Sequence, residues 1–117
     1  MTADLFESVA DVLPSREVMA EGAVLLRGFA RPVEAGLLAA ISEIEGEAPF
    51  RRMFTPGGHQ MSVAMTNCGN AGWVTDRSGY RYDGTDPETG KPWPSMPPVL
   101  RELAEAAAQA AGFAGFT

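Results

Sequence analysis

Seven side chains with large or soft apolar surfaces, Met53, Met61, Met65, Trp73, Tyr80, Tyr82 and Trp93, fall in or beside a stretch that also carries Arg51, Arg52, Arg77 and Arg81. This combination suits nucleic acid. Flat rings stack on unpaired bases at about 1–3 kcal/mol per base, guanidinium groups and hydroxyls hold phosphates, and thioethers mould to irregular apolar surfaces. The same residues also suit a core: Trp73 fits either role, and each methionine is better read as core. Tyr80 and Tyr82 share a parity, so in one strand they point to the same face.

Other reactive residues form no catalytic constellation. His59 lies in a Gly-rich turn beside Gln60 and reads as a solvent-exposed turn residue. Cys68, between Asn67 and Gly69, has no basic neighbour in sequence and reads as a structural thiol. Asp83, Asp86 and Glu88 fall in a Pro/Gly-rich stretch, where an acid is more often a turn former than a general base. TPGG lacks the Gly-x-x-x-x-Gly-Lys spacing of a phosphate loop, and no Gly-x-Gly-x-x-Gly is present. One cysteine rules out an internal disulfide. One histidine leaves a zinc or non-haem iron centre short of ligands.

Charge sharpens the picture once it is divided along the chain. The net charge is -6 over 117 residues. Residues 1–48 carry three Arg against nine acids, and residues 83–117 carry two basic groups against five acids. Residues 49–82 set Arg51, Arg52, Arg77 and Arg81 against Asp76 alone, the only basic stretch. Surface arginines that merely solvate a domain would give the same count. No apolar run approaches the ~20 residues of a membrane helix, and the acidic start MTADLFESVADVLPSREV is unlike a signal peptide. We therefore expect a small cytoplasmic domain with no membrane partner.

The elements that must position these residues read as a single α+β domain. AVLLRGF, residues 23–29, predicts a strand. Val33, Leu37, Leu38, Ile41 and Ile44, at helical spacing after Pro32, predict an amphipathic helix ending near Gly46. FRRMFT (50–55), the turn PGGHQ and the imperfectly alternating MSVAMTNC (61–68) predict a β-hairpin, with Pro56, Gly57 and Gly58 supplying the reversal. Residues 69–82 predict further extended structure with bends at Gly69, Gly72 and Gly79, and residues 83–97 a long Pro/Gly linker. Pro98 opens a second amphipathic helix over 98–112, with Val99, Leu100, Leu103, Ala107 and Ala110 as its buried stripe and Gly112 as its stop.

GAVLLRGFA (22–30), PFRRMFTPGGHQMSVAMTNCG (49–69), GW (72–73), GYRY (79–82), DPETGKPWPSMP (86–97) and AAGF (110–113) stand in uninterrupted order. On these motifs the chain resembles the N-terminal portion of the AlkB family of Fe(II)/2-oxoglutarate dioxygenases, which remove alkyl groups from bases such as 1-methyladenine and 3-methylcytosine. The resemblance implies a β-hairpin-rich nucleotide-recognition lid (49–82) with two amphipathic helices, an incomplete domain lacking most of the double-stranded β-helix (jelly-roll) catalytic core. It implies that Trp73 stacks on a flipped base, Thr55 and Tyr80 contact phosphates, and Met61 and Met65 line the lid around the base. Arg51 and Arg77 join these as nucleic-acid-binding candidates, with His59 and Tyr82 as further ones.

His59 departs from the tyrosine expected in that turn. The family's iron ligands, a His-x-Asp pair and a distant His, and its 2-oxoglutarate ligands lie C-terminal to the matched region. Fe(II) and 2-oxoglutarate are thus expected of the full-length family and neither of this chain, which carries no catalytic or metal residue. The expected partners are alkylated single- or double-stranded DNA, or RNA, and a C-terminal catalytic half. A stand-alone module that binds damaged or single-stranded nucleic acid without chemistry is the alternative.

Overall fold

A computed structural model describes residues 13–115. The element order is β1 (Ser15–Ala20), β2 (Ala23–Arg27), a 3-10 turn (Arg31–Val33), α1 (Glu34–Glu47), β3 (Gly72–Asp76), β4 (Gly79–Asp83) and α2 (Pro98–Ala110). The architecture is α+β, two antiparallel hairpins and two helices. Among the described residues no helix is long and apolar enough to cross a membrane. The chain divides into two compact units, one up to Ala35 and from Val99 on, the other Gly36–Pro98.

In the first unit β1 pairs with β2 around Glu21 and Gly22, and the register shifts between Val18 and Ala20. Gly22, with φ +76°, takes the left-handed turn position that a side chain would resist. The sequence predicts only the second strand of this pair. Ser15–Ala20 includes Glu, Met and Ala, which carry little strand preference, and its strand character comes from its partner. Pro98 opens α2. The helix closes at Gly112 (φ +92°), where Phe113 N–H reaches Ala108 O and Gly112 N–H reaches Gln109 O, a Schellman arrangement. Arg16 donates from Nε to the end carbonyl of Ala110 at 2.9 Å, placing a cation where the helix dipole is negative.

The second unit holds the core. Ala40, Ile44 and Ala48 form its buried line along and just past α1, four residues apart, whereas Leu38 and Ile41, expected to face inward, are exposed. Ala48 N–H closes the last turn onto Ile44 O, and Pro49 stops the helix. Ala48, Met53, Val74 and Trp93 cluster, with Met61, Met65 and Trp73 packed against them.

The predicted 50–68 hairpin is held by two isolated bridges, Phe54↔Gln60 and Arg51↔Met65, rather than by continuous strands. Between the bridges one limb advances three residues and the other five, so residues 62–64 loop out; this accounts for the imperfect alternation of MSVAMTNC. Gly69 N–H donates to Pro94 O at 2.7 Å, tying the end of this segment to the Pro-rich stretch.

Gly72, at the start of β3, is the tightest point. A Cβ there would lie 2.6 Å from Asn67 Cβ and 2.7 Å from Trp93 Cε2. Gly72→Ala is therefore expected to cost about 1–3 kcal/mol through overpacking, read as a lowered urea midpoint. An unchanged midpoint would show that Asn67 and Trp93 yield freely.

Candidate nucleic-acid interface

The site is built on the β3–β4 hairpin. Its register pairs Trp73 with Tyr82 and Thr75 with Tyr80, so strand alternation puts these four side chains on one face. Tyr80 and Tyr82 are 63% and 77% exposed, while Thr75 is buried. The Trp73 and Tyr80 rings stack with centroids 5.7 Å apart and 21° between planes. Trp73 is half-buried and also touches the core cluster, so it serves packing and presents a ring at the same time.

The hairpin is braced from its other face. Arg81 Nη1 lies 3.0 Å from Asp76 Oδ1 and Arg81 Nε 3.3 Å from Asp83 Oδ2. Asp76 also accepts from Ser78 N–H at 2.8 Å, which shapes the Arg77–Ser78 turn. The Arg81 hydrogen bond, aided by Ser78 N–H, holds the Asp76 carboxyl below its usual range.

Beside this turn lies the 55–60 reversal. Gly58 N–H reaches Thr55 O at 2.9 Å, Thr55 N–H reaches His59 O at 2.8 Å, and His59 N–H donates to Thr55 Oγ1 at 3.2 Å. Thr55 Oγ1 thus serves as an acceptor inward and keeps its proton to donate. Arg77 Nη2 lies 3.4 Å from where a Gly58 Cβ would stand, so the guanidinium covers that glycine. Thr55, His59 and Arg77 are therefore brought together at adjoining turn tips, Arg77 and His59 exposed and Thr55 half-buried. Met61 and Met65 are half-buried against the core.

Arg51 lies apart from this surface. Its Nη1 and Nη2 form a bidentate pair with Asp86 at 2.5 and 2.7 Å, its Nε donates to Pro49 O at 2.6 Å, and its guanidinium sits 5.3 Å from the Trp93 ring centroid. Asp86 is fully buried and the Arg51 side chain only 10% exposed. The hydrogen bonds from Arg51 hold the Asp86 carboxyl below the ordinary carboxylate range, and Asp86 in turn raises Arg51. The stretch read as a linker is anchored here: Asp86 N–H reaches Lys91 O at 2.8 Å, and Trp93 Nε1–H reaches Asp83 O at 2.8 Å. Asp86 forms the turn expected of it, its Oδ1 accepting from Glu88 N–H at 2.8 Å, and Trp93 is among the aromatics that the sequence suits to nucleic acid. Both are interior, and no local pattern announces a carboxylate 35 residues from its arginine.

A model of the 2OG-Fe(II) oxygenase superfamily matches residues 22–117. The chain belongs to this superfamily. Over 113 residues, 97% of its length, it is 50% identical to the alpha-ketoglutarate-dependent dioxygenase AlkB of Escherichia coli (strain K12), covering 51% of that protein. It is 51% identical over the same length to the Salmonella typhimurium protein of that name, again covering 51%. An AlkB homolog of Caulobacter vibrioides is 47% identical over 70 residues, 60% of this chain and 32% of that protein. The chain thus spans about half the length of the first two relatives.

The superfamily's name implies iron and 2-oxoglutarate. The donor set does not fit an iron centre of two histidines and a carboxylate: the chain has one histidine, and no three His, Cys, Asp or Glu converge among the described residues. Cys68 is a half-buried thiol whose pKa burial pushes up, the opposite of an activated nucleophile.

The Arg51–Asp86 pair gives this superfamily member a testable pH dependence. The folded-state pKa of Asp86 is lowered, so the stability it contributes is complete above the unfolded carboxylate value of about 3.9 and drains away as pH falls through the lower folded value. Asp86→Asn leaves a largely buried guanidinium with only the exposed Glu88 carboxylate, 3.3 Å from its Nε, as counter-charge and is expected to cost about 3–5 kcal/mol at neutral pH. Urea unfolding at pH 7 and at pH 3 checks both. A loss under about 1 kcal/mol at pH 7 would reduce the pair to the worth of a surface ion pair.

Proposed function

We propose that this chain is the substrate-recognition part of an oxidative demethylase that repairs alkylated DNA carrying lesions of the 1-methyladenine or 3-methylcytosine type. The observation that carries the reading is the shared face of Trp73, Tyr80 and Tyr82, two of its rings open to solvent, beside turn tips bearing Thr55 and Arg77. A base flipped from its strand needs a ring to stack on and groups to hold the phosphates beside it. Trp73 supplies the ring, Tyr80 and Thr55 supply hydroxyls, Arg77 supplies a cation, and Met61 and Met65 contribute soft apolar surface. Arg51 supports this arrangement by holding residues 49–51 to the Asp86–Trp93 segment and needs no phosphate of its own. Residues 49–82 act as the lid, and no dioxygenase step is assigned to any residue of this chain.

A second reading, a binding module that works without chemistry, is favoured by the core that Gly36–Pro98 holds for itself. Both readings predict strand binding by the lid; they part on whether a C-terminal catalytic half is needed for lesion preference.

An amide NMR titration with a short single strand carrying one 1-methyladenine, run beside its unmethylated twin, tests the proposal. Dispersed peaks around Thr55, Trp73 and Tyr80 are expected to move, and to move further with the methylated strand. Dispersed peaks that stay still would remove recognition from this chain. Trp73→Ala is expected to abolish the shifts; because the ring also touches the core, Tyr80→Phe, which keeps the stack and removes one hydroxyl, provides the phosphate-contact test on an intact fold.

A further inference from the structure

A cavity of about 290 Å³ lies wholly within the Gly36–Pro98 unit, lined by residues 51–54 and 74–76 together with Pro87 and Glu88. Each of the first two segments runs directly into a turn tip, Phe54 into Thr55 and Asp76 into Arg77, so the cavity adjoins the tips assigned to phosphates above. The lining segments present backbone as well as side chains. Arg51, Met53 and Thr55 direct their backbone hydrogen bonds to residues 59–65, so Arg52 and Phe54 turn theirs away from that limb. In β3 the two-residue turn makes Asp76 and Gly79 the hydrogen-bonded closing pair, so Thr75 turns its N–H and C=O away from β4. Neither is bonded to another backbone group among the described residues. Thr75 is only 3% exposed, and its Oγ1 is buried without a hydrogen-bond partner. Buried polar groups of native proteins are nearly always paired, so three on one residue ask for a partner that the fold does not supply.

We propose that this cavity takes an unpaired nucleobase of the bound strand, a neighbour of the base that stacks on Trp73. The inference rests on the nucleic-acid reading above and adds a second base subsite to it. A base is apolar on its faces and carries donors and acceptors along its edge. Met53 and Val74, both of the core cluster, supply the apolar surface, and Thr75 supplies a hydroxyl, an N–H and a C=O for the edge. The volume sits at the small end of ligand sites, which suits one ring system rather than a larger molecule. Phe54 adds an exposed ring, and Arg52, exposed and without a carboxylate partner among the described residues, a cation for the phosphate that the base brings with it.

The test is amide and methyl NMR of the 117-residue chain, titrated with a short single-stranded oligodeoxyadenylate and with an abasic strand of equal length and charge. The Thr55 and Arg77 amides are expected to move with both strands, because both carry phosphates. The Thr75 amide and the Met53 and Val74 methyls are expected to move with the base-bearing strand alone. Thr75→Val keeps the shape of the side chain and removes its hydroxyl. Its urea midpoint is expected not to fall, since no bond within the protein is lost, and its affinity for the oligodeoxyadenylate to drop about fivefold while its affinity for the abasic strand is unchanged. Thr75, Met53 and Val74 signals that stay still while Thr55 and Arg77 move would overturn the base subsite alone, as would a lowered midpoint or an unchanged affinity in Thr75→Val. Signals that stay still everywhere with either strand would overturn the nucleic-acid reading along with it.

Discussion

A carboxylate with no exposed surface has to be paid for by its surroundings, and Asp86 is supplied with a fork of two guanidinium hydrogen bonds, the face of Trp93 behind that guanidinium, and a backbone N–H from Glu88. Removing a charge from water costs several kcal/mol, and only near-ideal pairing offsets it. The pair therefore fixes more than two side chains. Arg51 begins the limb that leads through Met53 to the Thr55 reversal, and its backbone forms both hydrogen bonds to Met65. Asp86 organises the loop that brings Trp93 into the core beside Met53 and Val74. The placement of the turn tips and of the β3–β4 hairpin follows from this junction.

The junction also redistributes the basic charge of the middle segment. Four arginines stand there in sequence, yet Arg51 is neutralised by Asp86, and Arg81 braces the hairpin against Asp76 and Asp83. Among the described residues Arg52 and Arg77 remain on the surface without a carboxylate partner. Net charge by segment is a statement about how many counter-ions a stretch attracts when its charges face water. Folding pairs two of these cations with carboxylates, and of the two left Arg77 stands at the β3–β4 turn tip against Gly58.

Aromatic residues divide in the same manner. Trp93 is interior, Tyr80 and Tyr82 are outside, and Trp73 lies between, in contact with the core and stacked with Tyr80. A ring anchored along one side loses little further freedom when it accepts a planar partner, because its rotamer is already chosen by packing. This is a reason for a recognition ring to stand at the rim of a core rather than on a free loop.

Much was legible from residues alone: the two helices, the second strand of the first hairpin, the reversal at residues 56–60, the bend at Gly69 and the turn closed by Gly79, the shared face of Tyr80 and Tyr82, and the superfamily, whereas Gly72, read as a bend, opens strand β3. These depend on local periodicity, on backbone conformations that glycine and proline favour, and on ordered motifs, all of which are written in short windows of sequence. Strand β1, the looped-out residues 62–64, the buried line Ala40–Ile44–Ala48 in place of Leu38 and Ile41, and the interior roles of Arg51, Asp86 and Trp93 were decided by tertiary structure. Each depends on a partner outside its own short window of sequence, as near as β2 for β1 and as far as Asp86 for Arg51. A strand of weak propensity forms because another strand is there to pair with it, and a charge can be buried only where a distant segment brings the opposite one.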